Sequence, residues 1–123
     1  MEEMGFEVHL DLPYDAAVER VVAALKSEGF GVLTRIDVKA TMKEKLDQDF
    51  RPYVILGACN PPLAFKALST DPLMGLMLPC NVTVEADPAG GSLARLVNPE
   101  TMLATGNLRE NENLRAVAEE ARA

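Results

Sequence analysis

The sequence predicts an α+β domain: a single, mostly antiparallel β-sheet with helices packed on one face. Three observations predict it. Segments of strand period outnumber those of helix period, and several are joined by links of hairpin length. One strand, over residues 53–59, is apolar on both faces and so requires a neighbour on each side and cover above it.

The first element is a strand over 5–12. Phe6, Val8, Leu10 and Leu12 alternate with Glu7, His9 and Asp11, the period of a half-buried strand. After Pro13 the period changes: Val18, Val21, Val22 and Leu25 recur at helical spacing, Asp15 stands in the first turn, and Gly29 supplies the stop. A second strand is expected over 30–37. A short helix over 39–46 follows, with Met42 and Leu46 on its buried side and a basic outer face.

Tyr53-Val54-Ile55-Leu56-Gly57-Ala58-Cys59 is the strand apolar on both faces. Asn60-Pro61-Pro62 then has the form of an N-cap followed by prolines in the first turn, where a missing N–H does no harm. The helix continues through Leu63, Ala64, Ala67 and Leu68 to Asp71-Pro72, and an apolar loop over 73–79 comes next. Strands over 80–86 and 92–97 are joined by Asp87-Pro88-Ala89-Gly90-Gly91, whose glycines permit a tight reversal. A helical turn is expected at 100–104. From 111 onward Leu114, Val117, Ala118 and Ala121 mark a terminal amphipathic helix.

The 123 residues suit one domain, 1–123, and a 48% hydrophobic share is enough to bury a core. Twelve basic against nineteen acidic residues give a net charge of −7, which opposes sequence-independent nucleic-acid binding. No apolar run approaches the roughly 18 residues of a membrane span, and Met1-Glu2-Glu3-Met4 does not resemble a secretion signal, so a cytoplasmic protein is expected. In that compartment the two cysteines are expected as free thiols. Nucleotide-binding glycine loops, the Walker lysine, a nucleophile elbow and a His-Glu-x-x-His motif are all missing from the sequence.

Gly57-Ala58-Cys59-Asn60-Pro61-Pro62-Leu63-Ala64, followed by Ala67-Leu68, Asp71-Pro72, Gly75 and Leu78-Pro79-Cys80-Asn81-Val82, resembles the domain of unknown function 302 family of small bacterial and archaeal proteins. The likeness takes in Gly29-Phe30-Gly31-Val32, Lys43-Glu44-Lys45-Leu46, and Asn98-Pro99, where the family more often has Asp-Pro. The resemblance implies a β-α-β-β-β-β-α order similar to the TATA-binding-protein type of fold, without its DNA-binding role. It implies no established activity. The shared residues able to carry chemistry are Cys59, Asn60, Pro61, Pro79 and Cys80.

Cys59, Asn60 and Cys80 are the candidate ligand or redox residues. Cys59 ends a strand just before a helix, and N–H groups at a helix N-terminus stabilise a thiolate. The competing reading, a cysteine buried as a small hydrophobe, is favoured. Met74, Met77 and Cys80 recur at a spacing of three with ligand atoms suited to soft ions, but Gly75 and Pro79 interrupt the helix that would align them. His9, the single histidine, lies on the outward face of its strand without ligand partners arranged around it. Lys39, Lys43, Lys45 and Arg51 could present an anion site or simply a solvated face, with Glu44, Asp47 and Asp49 cancelling the field.

The expected function is a non-enzymatic small-molecule-binding or protein-interaction module. The alternative is a thiol-dependent redox or soft-metal-handling protein acting through Cys59 and Cys80. No catalytic residue, resident metal or cofactor is expected, and neither nucleic acid nor membrane is expected as a partner. A homodimer is: Leu33, Ala94 and Leu96 are taken to extend an apolar sheet face opposite the helices, which a second copy would cover or which would otherwise line a cavity.

Overall fold

The computed structural model describes residues 5–98. In chain order the elements are β1 (Gly5–Leu10), α1 (Tyr14–Ser27), β2 (Gly31–Asp37), α2 (Val38–Leu46), β3 (Tyr53–Cys59), α3 (Pro61–Thr70), a 3₁₀ helix (Pro72–Met77), β4 (Cys80–Ala86) and β5 (Ser92–Val97). The five strands form one sheet in the order β1-β5-β4-β3-β2, antiparallel at every pairing. The helical turn expected at 100–104 and the helix expected from 111 lie outside the described residues.

β1 and β2 are consecutive strands at opposite edges, so the chain between them has to cross the whole sheet. Five strands leave four gaps of about 4.8 Å, or about 19 Å, and the 14 residues of α1 extend about 21 Å. One helix of this length makes the crossing and covers the sheet as it does so. Its buried stripe of Ala17, Val18, Val21 and Leu25 packs on Val54, Leu56 and Ala58 of β3, Val82 and Val84 of β4, and Ala94 of β5. The helix stops where Glu28 and Gly29 donate their N–H groups to the Leu25 and Lys26 carbonyls, with Gly29 at φ +86°.

The edges are less regular. β2 carries a bulge between Val32 and Thr34, and Leu33 points into solvent at 68% exposure. β1 ends at Leu10 rather than residue 12 because its partner β5 begins at Ser92. Leu12 instead accepts a hydrogen bond at its carbonyl from the Ser92 hydroxyl.

Several expectations need correction. Ala94 and Leu96 belong to the face beneath α1, not the opposite one: Ala94 is in the core and Leu96 packs against it, because their cross-strand partners Val84 and Val82 already face the helix. Leu46 is exposed at the end of α2. The segment after α3 is a 3₁₀ helix, not a loop, since Pro72 presets its first position and the Asp71 carboxylate accepts the Leu73 N–H. No helix among the described residues is long and apolar enough to cross a membrane.

β3 and β4 are linked by α3 and the 3₁₀ helix, and the link closes through a cis Leu78–Pro79 peptide. The Pro79 ring lies on the sheet over Gly57. A Cβ at Gly57 would stand 2.7 Å from Pro79 Cγ and would overlap the Thr34 hydroxyl. Gly57→Ala is therefore expected to lower unfolding stability by about 1–3 kcal/mol, the usual cost of overpacking, as read by urea denaturation.

Candidate functional site

The motif residues meet at one end of the sheet. Asn60 caps α3, its Oδ1 accepting the Leu63 N–H at 3.2 Å. Its amide nitrogen lies 3.1 Å from where a Cβ of Gly29 would be, so the stop of α1 and the start of α3 are packed together through two short side-chain positions. Pro61 and Pro62 have no N–H, the Leu63 N–H goes to Asn60 Oδ1, and the Ala64 N–H goes to the Asn60 carbonyl. The first turn of α3 thus leaves Cys59 no free donor with which to stabilise a thiolate.

Cys59 pairs with Gly31 of β2, whereas Cys80 pairs with Ala58 of β3. The two cysteines stand on adjacent strands one position out of step, so strand alternation sends their side chains to opposite faces of the sheet. Cys80 lines a small apolar cavity of about 80 Å³ on the helix side with Leu25, Phe30, Ala58, Val82 and Leu96. Burial, and then the proximity of Cys59, pushes the Cys80 thiol pKa above its ordinary value. Met74 is buried, and the cis Leu78–Pro79 peptide separates the 3₁₀ helix from Cys80. Among the described residues no group of three His, Cys, Asp or Glu side chains could hold a metal.

The opposite face of the sheet carries the polar chemistry. The alternation that buries Val82 and Val84 turns Asn81, Thr83 and Glu85 outward, and the hairpin register sets Arg95 of β5 across from Thr83 and Glu7 of β1 across from Arg95. Glu85 is only 5% exposed. Its Oε1 meets Arg95 Nη1 at 3.2 Å and its Oε2 meets Arg51 Nη2 at 3.3 Å, while Arg95 Nε donates to Glu7 Oε1 at 2.8 Å. The Arg51 guanidinium stacks 4.6 Å above the Phe50 ring, and Phe50 meets Tyr53 edge to face at 6.0 Å. Burial works against the charge of Arg95, but hydrogen bonding and charge from Glu85, then from Glu7, hold its pKa above the ordinary arginine value.

Beside this network lies a cleft of about 270 Å³, lined by Glu7, Tyr53, Asn81, Thr83, Arg95 and Val97, with Gly5, Phe6 and Leu96 completing its wall. The side chains of Asn81 and Thr83 and the Tyr53 hydroxyl make no hydrogen bond among the described residues. Three further sequence candidates, His9, Lys43 and Arg51, are engaged elsewhere. His9 reaches the β4–β5 turn, its Nε2 lying 3.0 Å from the Gly90 carbonyl and 3.5 Å from an Asp87 oxygen. Lys43 pairs with Asp47 and Asp49, and Arg51 belongs to the Glu85 network.

The family model described as "Domain of unknown function DUF302" matches residues 6–123. The chain belongs to the DUF302 family. A crystal structure of an uncharacterized conserved DUF302 protein from Bacillus stearothermophilus superimposes with a TM-score of 0.78 at 30% identity, covering 95% of this chain and 97% of that one. A search of the curated proteins finds no match. Of the quoted DUF302 motif residues, Gly29 and Asn60 meet at the α3 junction, and the charged cleft lies on strand positions outside that motif, apart from its rim residue Asn81. Sequence reasoning missed Glu7, Glu85 and Arg95. The usable signal was the outward alternation of Thr83 and Glu85 in β4 and of Arg95 in β5.

Two outcomes are expected. Asn60→Ala removes the cap of α3 and should cost about 1 kcal/mol in denaturant unfolding. Because the Cys80 pKa is raised, its thiolate fraction is smaller than that of an ordinary thiol. Iodoacetamide at about pH 8 should therefore modify Cys80 several-fold more slowly in the native protein than in urea, with rates read by peptide mass spectrometry.

Proposed function

We propose that this DUF302 protein is a non-enzymatic small-molecule-binding module whose ligand lies in the cleft on the face of the sheet opposite α1. The observation that carries this reading is a concave site in which Asn81, Thr83 and Tyr53 hold hydrogen-bonding groups with no partner among the described residues, beside an arginine fixed by two carboxylates. Pre-oriented polar groups at the edge of an apolar wall are the ordinary make-up of a binding site. The groups present also lack a nucleophile paired with a base, so the arrangement favours recognition over chemistry.

Thr83 lines the cleft, partly exposed and outside the α1 core. Thr83→Phe should fill the cleft and abolish fragment binding seen by ligand-observed NMR, with unfolding stability changed by no more than about 0.5 kcal/mol. Fragment binding that survives the substitution would place the ligand elsewhere.

A protein-interaction role through a second copy of the chain has its own support, on a different surface from the sheet face. Phe65 and Leu76 are 75% and 80% exposed on α3 and the 3₁₀ helix, and Leu68 and Leu73 are exposed beside them. Lys66 and Asp71 are the only charged residues over 61–78, so this segment is neutral within a chain of net charge −7, and two copies could meet there without opposing like charges. Sedimentation at micromolar concentration should give a dimer mass, and Phe65→Asp with Leu76→Asp should give a monomer. A monomeric parent protein would remove this reading.

A thiol-dependent redox or soft-metal role has less support. Cys59 and Cys80 are close in the sheet, but they project to opposite faces, and the first turn of α3 has no donor to spare.

A further inference from the structure

Resting on the cleft reading above, we infer that the ligand is a flat, uncharged ring carrying an amide-like edge, an N–H beside a C=O. The charge balance of the site disfavours the other classes. Glu7 and Glu85 face Arg95 and Arg51, two negative charges against two positive, in contacts of 2.8 to 3.3 Å. An anion drawn to the remaining Nη2 of Arg95 would meet the repulsion of the Glu7 and Glu85 carboxylates already paired with Nε and Nη1. A cation would have to settle against carboxylates already neutralised and beside the Arg95 guanidinium itself.

What the cleft has to offer is neutral hydrogen bonding. Asn81 presents both a carbonyl oxygen and an NH₂ group, and the Thr83 hydroxyl both donates and accepts. They stand two positions apart on one face of β4, about 7 Å along the strand. An edge with an adjacent donor and acceptor satisfies such a pair, and a ligand lacking that edge would cover the partly buried Thr83 hydroxyl and leave it without a hydrogen bond.

The walls call for a plane. The cleft floor is the pleated sheet surface, with Val97 on one side and the Tyr53 ring on the other. The Arg95 guanidinium, held by Glu7 through Nε and by Glu85 through Nη1, adds a delocalised planar group against which a ring can stack. A volume of about 270 Å³ accommodates a single or fused ring and little more.

The test compares three probes of one shape, benzamide, benzoate and benzylammonium, titrated into the isotopically labelled full chain and followed by backbone and side-chain amide shifts. Benzamide should move the resonances of residues 81, 83, 95 and 97, with benzoate and benzylammonium roughly tenfold weaker there. Asn81→Leu combined with Thr83→Val should lower benzamide affinity roughly tenfold without altering the spectrum of the α1 core. Benzoate or benzylammonium binding in the cleft as tightly as benzamide would overturn the ligand class while leaving the cleft as the binding site. Benzamide affinity unchanged in the double variant would overturn it as well. If no probe of any charge shifts those resonances, the cleft reading and the ligand class fall together.

Discussion

The packing of one helix across the sheet is the constraint from which the remaining structure follows. The stripe of Ala17, Val18, Val21 and Leu25 has to be covered, and among the described residues the inner face of β3, β4 and β5 covers it. Once Val54, Leu56, Val82, Val84 and Ala94 are committed to α1, the two-residue period of a strand leaves no freedom on the other side. A slip of one residue in β4 or β5 would bury Glu85 or Arg95 beneath the helix and expose Val82 and Val84, or Ala94 and Leu96, in exchange. The apolar face thus dictates the register, and the register composes the polar face.

That polar face is an ordered surface because its charges are mutually satisfied. Glu85 is buried at the centre of the sheet and takes one arginine on each oxygen, Arg95 from the neighbouring strand and Arg51 from the segment entering β3. A buried carboxylate of this kind contributes little net stability, since its desolvation offsets most of the attraction, but it makes alternatives in which it is unpaired costly. Its consequence is geometric: Arg95 is held from two sides, and the cleft beside it keeps one shape. The network is neutral as a whole in a chain of net charge −7, so the sheet face is a local exception to the overall field.

The α3 junction plays a different part. Its motif of Asn60, Pro61 and Pro62 closes the helix end by spending every early donor, and Asn60 also fills the space against Gly29. A prominent sequence signature can mark a tightly built corner as readily as a reactive centre. Cys59 and Cys80 belong to that corner, where Cys80 sits against Leu25, Phe30 and Leu96 as a small apolar side chain would.

The local features were legible in the sequence because they depend on neighbours in the chain. The alternation of β1, the helical spacing of α1, the Asn60 cap with its two prolines, and the Asp87 to Gly91 reversal each draw on interactions within a few residues, and each is found where the sequence places it, save that β1 stops two residues early. The resemblance carried by the motif likewise led to the family and to the α+β sheet. The cover over each face of the sheet, however, depends on where α1 crosses, which is why Ala94 and Leu96 lie beneath the helix. The cleft depended most on tertiary structure. Glu7 and Arg95 are 88 positions apart and Arg51 and Glu85 are 34 apart, so no local spacing could signal that they meet. Only the pairing of β1 with β5, of β5 with β4 and of β4 with β3 brings those charges within contact, because hydrogen-bond register acts between strands and leaves no trace in the period of either one.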